Sequence, residues 1–535
     1  MELYSSLGDL LLNKSDDKGI TFISREFDEE YISYKDLCQR ALGILYDLQD
    51  RGIKRGCELV FQLDNCRDFV LCFWACILGG IIPVPVAVGN NQEHRLKLFG
   101  IWDMLNNPYL ITDIKGIRVL EKAIDDGLSI EKIESIKKRT IQIDDIGNST
   151  RGIGDIYQPS LEDTAFIQFS SGSTGQPKGV VLSHRNLLTN IDAIITGSST
   201  TEADSTLSWM PLTHDMGLIG FHISPVAAGI NQYIMPTSLF IRNPVLWLRK
   251  ANEHRITLLS SPNFGYKYFL EFYRPESAKD WDLSHIRLIF NGAEPISVDL
   301  CQKFLGEMHK HGLKSNVMFN VYGMAEASLA VTFPHPGEEL ESIRLDRKSL
   351  SIGDTIKENI EGQDTDVIEF ADLGFPVKGC SVRICDDFGK VLNENTIGNI
   401  EIKGENVTSG YYNNSSASAK AIGIDGWLNT GDLGFIRKGR LIVTGRAKDV
   451  IFVNGQNYYA HDIERVSEEV DGIKMGRVAA IGVFNTHTQK DDIIIMVLYK
   501  KKLEDFAELA VNIKKQIYLK MGLEIANVIP VWDLP

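Results

Sequence analysis

Ser170-Ser171-Gly172-Ser173-Thr174-Gly175-Gln176-Pro177-Lys178-Gly179 gathers hydroxyls, glycines and one lysine into ten residues. Those types share one chemistry, the gripping of polyphosphate. Glycine lets the backbone turn tightly and bring N–H groups against phosphate oxygens. Ser171, Ser173 and Thr174 add hydroxyl donors, and Lys178 adds positive charge. The P-loop of kinases and GTPases needs Gly-Lys-Ser/Thr leading into a helix. Here Pro177 precedes the lysine and Val180-Val181-Leu182 reads as a strand, so a mononucleotide-kinase or GTPase mechanism is disfavoured. A short Ser/Gly/Thr run is more often a solvated turn. The full ten-residue string, set between two apolar β-type segments, turns that balance toward phosphate.

The rest of the chain must position this loop. Its 535 residues exceed one ordinary core, so two or more domains are expected, and 44% apolar with 24% charged residues describes a globular enzyme-sized protein. A net charge of −15 argues against nucleic acid or an anionic membrane as the main partner, so any anion site is local. Eight cysteines at positions 38, 57, 66, 72, 76, 301, 380 and 385 form no CxxC pair, and the N-terminus carries no secretory pattern. A reducing cytoplasm is the simplest setting. Cys72 and Cys76 have no histidine pairs nearby in sequence and read as core. Phe69 to Val88 runs twenty residues without a charge, long enough to span a bilayer as one helix. Gly79, Gly80, Pro83 and Pro85 interrupt it. The expectation is a buried helix at 68–78 and a buried strand at 81–86.

Ser33 to Gly52 reads as an amphipathic helix with a capping start at Ser33 and Asp36. A strand follows at 58–63. Helix and strand alternate as in parallel-sheet proteins through 165–169, 206–209, 257–260, 288–290 and 316–319. From Pro336 to Gly374 eleven acidic residues face four basic ones and the apolar residues are irregularly spaced, which reads as a surface insertion. Residues 379–384 and 398–403 suggest short antiparallel strands. Beyond Gly445, the expected elements are a strand at 450–453, a turn at Asn454-Gly455 and a helix capped by Asp462.

Five separated motifs together resemble the adenylate-forming superfamily of acyl-CoA synthetases, luciferases and peptide-synthetase adenylation domains, across nearly the whole chain. They are the phosphate loop, Asn291-Gly292-Ala293-Glu294-Pro295, Asn320-Val321-Tyr322-Gly323-Met324-Ala325-Glu326, Trp427-Leu428-Asn429-Thr430-Gly431-Asp432-Leu433 and Gly445-Arg446-Ala447-Lys448-Asp449. Within the superfamily the chain is most similar to fatty acyl-AMP ligases, which load acyl carrier proteins in polyketide, nonribosomal peptide or lipid synthesis. That likeness rests on Trp209 through Gly220, Ser261 through Tyr266, Tyr322 through Glu326, and Asn457 through Glu464, where Ala460 replaces a proline. Those ligases carry an insertion where residues 336–374 lie here.

The resemblance implies an α/β protein. A large N-terminal domain over 1–445 would hold two parallel-rich sheets with helices and a small β-barrel-like subdomain, followed by a mobile α+β C-terminal domain over 446–535. It implies ATP and Mg²⁺, a fatty or related carboxylic acid, and an acyl carrier protein as partner. Lys178 and loop residues Ser171, Gly172, Ser173, Thr174 and Gly175 would hold the phosphates, with Glu326 and Thr174 organising magnesium. Gly292, Ala293 and Glu294 would line the adenine side and Tyr322 stack on the base, beside Gly323, Met324 and Ala325. Asp432 would accept from the ribose hydroxyls and Arg446 assist. His214 would position the acid, and Lys448 would be the hinge. Asp215 keeps an amino-acid substrate open, while Met216-Gly217-Leu218-Ile219-Gly220 favours an apolar tail.

Relatives carry a Gly-Lys pair shortly after a segment like Val528 to Pro535, and this sequence stops before it. The expectation is a piece of a longer synthase, or a chain that adenylates poorly while still binding nucleotide and acyl group. CoA ligation, amino-acid adenylation and a non-catalytic adenylate-binding module remain alternatives.

Overall fold

The computed structural model describes residues 4–89, 92–122, 129–147, 152–170, 177–358, 367–453, 456–474, 476–485 and 490–534. Its largest sheet has seven strands in the order Met318–Asn320, Leu288–Asn291, Leu258–Ser260, Ser205–Ser208, Asn231–Ile234, Gly19–Arg25 and Asp28–Ser33. All neighbours are parallel except the last pair. Arg287 clamps Asp204 through Nε (2.7 Å) and Nη2 (2.9 Å). This two-pronged bond fixes the start of strand Ser205–Ser208 against that of strand Leu288–Asn291.

A second, fully parallel sheet runs Ile82–Pro85, Glu58–Gln62, Tyr109–Thr112, Thr140–Gln142. Helix Cys66–Gly79 is buried from Phe69 onward, and Asn65 caps it by accepting from the N–H groups of Arg67 and Asp68. The helix ends at Gly80, whose φ of 64° suits glycine, and a Cβ there would come within 2.4 Å of the Tyr157 ring. The uncharged twenty-residue stretch is thus core helix, turn and strand. No helix among the described residues is long and apolar enough to cross a membrane. Tyr34–Asp50 is helical, with Ser33 Oγ accepting from Asp36 N, as its spacing predicts.

Under these layers lies a satisfied polar chain. Trp74 Nε1 donates to His222 Nε2 (2.9 Å), His222 Nδ1 meets Gln232 Oε1 (2.8 Å), and Gln232 Nε2 donates to the Tyr34 hydroxyl (2.8 Å). Burial lowers the pKa of His222 to about 4, so it stays neutral. Elsewhere Glu29, Glu253 and His254 cluster as metal ligands can. Lys250 Nζ lies 2.8 Å from Glu29 and 2.7 Å from Glu253, so an amine supplies the positive charge there.

Three expectations are corrected. Strand Thr164–Ser170 does not join the parallel alternation; it pairs antiparallel with Lys178–Ser183, so the phosphate loop is the tip of a hairpin. Residues 336–374 are not merely surface. Ser342–Asp346 and Val367–Ala371 pair antiparallel, turning Arg344 and Glu369 away from a core made by Ile343, Leu345, Ile368 and Phe370. That core also holds Ile397, Phe435, Ile442 and Tyr459. Finally, Asp462 does not cap its helix. The helix spans Ala460–Ser467, and Asp462 sits buried in its first turn, 3.4 Å from Arg465. The acidic charge there meets the positive end of the helix dipole.

The strands expected at 379–384 and 398–403 pair antiparallel as Cys380–Cys385 and Gly398–Gly404, and Leu428–Arg437 and Arg440–Arg446, not foreseen from sequence, extend them to a four-stranded antiparallel sheet. After it, Val450–Val453 pairs with Gln456–Tyr459; the Asn454-Gly455 turn lies outside the described residues. Helix Phe506–Met521 covers the sheet Val478–Asn485, Lys490–Leu498, Asn527–Val531. Ile463, Ile493, Ile495, Ile513 and Ile517 form its separate core. Each such side chain contributes about 1.5–3 kcal/mol by leaving water.

Candidate active site

A cleft of about 2400 Å³ opens where the C-terminal edges of the parallel strands face the antiparallel sheet and the last ninety residues. Strand Leu428–Arg437 brings Asp432 to its wall. The turn before it is locked: Thr430 Oγ1 donates to Ile400 O, Gly431 N to Asn429 Oδ1, and Asp432 N to Thr430 Oγ1. Gly431 has a φ of 78°, a left-handed turn that glycine adopts without strain. Arg446 is the cross-strand neighbour of Asp432, its Nε 3.4 Å from Oδ1. The Tyr322 hydroxyl donates to Asp432 Oδ2 at 2.6 Å. Burial raises the pKa of Asp432, against the pull of Tyr322 and Arg446.

On the opposite wall, strand Leu288–Asn291 runs into Gly292, which is buried against Val321 and backs the cleft instead of lining it. Ala293 follows with φ 71°, a left-handed conformation unusual for a residue with a side chain. Glu294 lines the cleft, yet its Oε1 accepts from Phe264 N (2.7 Å) at the start of helix Asn263–Phe272. Burial pushes its carboxyl pKa up.

Glu326 stands in the turn Ala325–Ala327, gripped at both ends. Its carbonyl accepts from Thr408 N (2.8 Å) and its Oε1 from the Tyr411 hydroxyl (2.8 Å). Lys178 opens strand Lys178–Ser183 and holds its Nζ 4.9 Å from the centre of the Tyr411 ring. Next to this turn, Ser328 has φ 64° and donates from Oγ to Asn406 O. Gly323, Met324 and Ala325 also line the cleft. Ser171, Gly172, Ser173, Thr174 and Gly175 lie outside the described residues.

His214 faces the cleft with its side chain 46% exposed, its Nδ1 2.7 Å from Asp215 Oδ1. The Asp215 charge raises the His214 pKa, against the effect of burial. Asp215 itself also accepts from Met216 N (2.7 Å). Beyond them Met216–Ile223 winds as a π-helix. Ile194, Gly220, Phe221, Phe290, Leu329 and Phe333 line an apolar branch of the cleft. Phe290 meets Phe221 at 5.4 Å and Phe333 at 6.0 Å, edge to face. Phe319 packs on Phe290 and Phe333 (5.0 and 5.2 Å), yet is 1% exposed and absent from the lining. Phe319 thus backs this part of the lining.

The cleft thus brings together Lys178, His214, Ala293, Glu294, Tyr322, Glu326, Asp432 and Arg446 from segments hundreds of residues apart. Lys448, exposed in the turn Ala447–Asp449, stands outside the lining. Tyr411 was not among the residues singled out from sequence. Its signal was an aromatic following Gly410, where the chain bridges to Val180 beside the phosphate loop.

Residues 14–412 match the family model described as AMP-binding enzyme. The chain is 26% identical over 558 residues to the medium-chain-fatty-acid--[acyl-carrier-protein] ligase JamA of Moorena producens, covering 98% of this chain and 91% of JamA. The solved structure of McyG A-PCP complexed with phenylalanyl-adenylate is 32% identical, with a TM-score of 0.86 over 98% of this chain and 91% of that one. A structure from work on fatty acyl-adenylate ligases of E. coli and L. pneumophila is 26% identical, with a TM-score of 0.86 over 100% of this chain and 95% of that one. Family match, fold and the convergence of separated motifs on one cleft agree: this chain belongs to the AMP-binding enzymes of the adenylate-forming superfamily.

Proposed function

We propose that this chain converts a fatty or related carboxylic acid to its acyl-adenylate with ATP, releasing pyrophosphate, and passes the acyl group to the phosphopantetheine thiol of an acyl carrier protein. A carboxylate is a poor acyl donor because oxide would have to leave. Attack of its oxygen on the α-phosphorus of ATP forms the carboxyl–phosphate bond, breaks the bond to pyrophosphate, and leaves AMP as the group a thiol can displace.

The observation that carries the reading is the pairing of two corners in one cleft. Asp432 with Tyr322 and Arg446 offers acceptors and a cation to a ribose and phosphate. Lys178 and Glu326, both on Tyr411, face the place a polyphosphate would occupy. Bringing two anions together is the main barrier, and Lys178 would offset it where charge develops on the leaving pyrophosphate. Glu326 suits a magnesium ion, since a carboxylate is a hard oxygen donor and magnesium typically takes one or two carboxylates plus substrate phosphates; when bound, the ion would neutralise phosphate charge. Thr174 is the second ligand proposed. Ala293 and Glu294 would wall the adenine, and Lys448 is the proposed pivot of the last ninety residues.

His214, kept cationic to higher pH by Asp215, would hold the acid's carboxylate, and the apolar branch of the same cleft would take the tail. Similarity to the ligase JamA supports both the fatty acid and the carrier protein.

Amino-acid adenylation is the second reading, favoured by Asp215 and by the phenylalanyl-adenylate in the related structure. Against it, Asp215 is already engaged by His214 and Met216 N and is only 8% exposed, a poor site for an ammonium group.

Pyrophosphate exchange and hydroxamate formation with panels of fatty and amino acids, together with calorimetry of a non-hydrolysable acyl-adenylate, test the proposal. Exchange with fatty acids and tight binding of the mimic are expected. Turnover with an amino acid alone would overturn the acid assignment, and thioester formation with CoA as fast as with a holo carrier protein would overturn the acceptor.

A further inference from the structure

Tyr411 lies between the two charged groups that the proposed reaction needs, and nothing in the motif pattern assigned it a role. Its backbone is fixed on three sides. Val181 N donates to Gly410 O (3.2 Å), Tyr411 N donates to Ser418 Oγ (2.8 Å), and Tyr412 N donates to Gly179 O (2.7 Å). Residues 408–412 therefore ride on strand Lys178–Ser183, the strand that begins with Lys178. The same short stretch holds Glu326 twice, by Thr408 N on its carbonyl and by the Tyr411 hydroxyl on Oε1. The Tyr411 ring meanwhile lies 4.9 Å from Lys178 Nζ, within the range of a cation–π contact. Burial, with the Glu326 charge adding to it, pushes the phenol pKa up, so the hydroxyl remains a donor.

A carboxylate held through one oxygen has the direction of its other oxygen set. An ammonium resting on a ring has its height set. We propose that Tyr411 is a positioning residue, aligning Glu326 and Lys178 on one polyphosphate so that metal and phosphate are met together. This role rests on the nucleotide reading above.

Calorimetric ATP binding across a magnesium titration, and in EDTA, separates the two contacts. Tyr411→Phe keeps the ring and loses the hydroxyl. The expected result is a magnesium midpoint raised about tenfold, the value of one charge-assisted hydrogen bond, with affinity in EDTA unchanged. Tyr411→Leu loses both contacts and should also weaken ATP in EDTA by roughly two- to fivefold. In a Glu326→Gln background, Tyr411→Phe should no longer move the midpoint, since its partner charge is gone. A Tyr411→Phe midpoint equal to wild type overturns the role. So does an equal loss with and without magnesium, or full additivity with Glu326→Gln, each of which marks a merely structural tyrosine. A wild-type chain that binds no ATP under either condition overturns the nucleotide reading and the role with it. Wild-type binding combined with an unmoved Tyr411→Phe midpoint removes the role alone.

Discussion

The Tyr322 hydroxyl donates to Asp432 Oδ2 across 2.6 Å, tying the segment just beyond the parallel sheet's edge strand Met318–Asn320 to strand Leu428–Arg437. With Arg446 on the other oxygen, the carboxylate is oriented before any ligand arrives. Asp432→Asn should weaken binding of ATP and of an acyl-adenylate mimic about 10- to 100-fold, the range for losing hydrogen bonds to a charged group. Tyr322→Phe should cost less, because the acceptor remains and only its orientation loosens. Calorimetry on the three proteins measures the order, and equal affinities for wild type and Asp432→Asn would count against the ribose assignment.

The His214–Asp215 pair predicts a pH dependence. Asp215 raises the His214 pKa, so the imidazolium persists to higher pH than an ordinary histidine. If it holds the acid's carboxylate, kcat/KM for the acid falls as pH rises through that raised pKa. Asp215→Asn removes the charge, so the fall should occur at lower pH, with the KM for ATP unchanged. An identical profile in both proteins would remove His214 from acid binding.

The apolar branch, with Phe319 packed behind Phe290 and Phe333, predicts a chain-length limit. Below the limit each added methylene should improve kcat/KM roughly fourfold, the value of burying one CH₂; above it, activity should drop. Phe290→Ala should move the limit outward and Phe290→Leu by less, since Phe290 faces the cleft with Phe319 packed behind it. A panel of straight-chain acids reads this directly, and an unmoved limit would place the tail elsewhere.

Two buried histidines predict acid lability. Burial lowers His184 and His222 to about 4, against about 6.5 when exposed. A lowered folded-state value means that protonation favours the unfolded chain. The stabilisation is complete above pH 6.5 and is lost as pH falls toward 4, on the order of 3 kcal/mol for each histidine. Melting temperatures from pH 7.5 to 4.5 should fall along this window. His222→Gln should melt lower at pH 7.5 and show a shallower fall.

Lys178, Asp432 and Arg446 could be picked out from sequence because Pro177-Lys178, Gly431-Asp432 and Gly445-Arg446 each carry residue types with few other uses at that spacing, and the structure sets all three on one cleft. Tyr411 could not, since one tyrosine among seventeen acquires meaning only when the strand at Val180 brings it against Glu326. Residues 342–346 and 367–371 were misread for a related reason. Their inward alternation, Ile343, Leu345, Ile368 and Phe370, is split between two short runs and outweighed in composition by eleven acidic neighbours. The hairpin at Thr164–Ser170 was hidden by burial on both faces, which erases the alternation that distinguishes an antiparallel strand.

Ala293 and Ser328 hold left-handed backbone at φ 71° and 64°, where glycine would rest without strain. Each departs from the favoured region by about 1–2 kcal/mol. Exchange to glycine relieves that strain but adds freedom to the unfolded chain, and it loosens the turns that carry Ala293 and Glu326 at the cleft. Heat tolerance and turnover need not move together at these two positions, which makes them natural first sites for any laboratory selection on this scaffold.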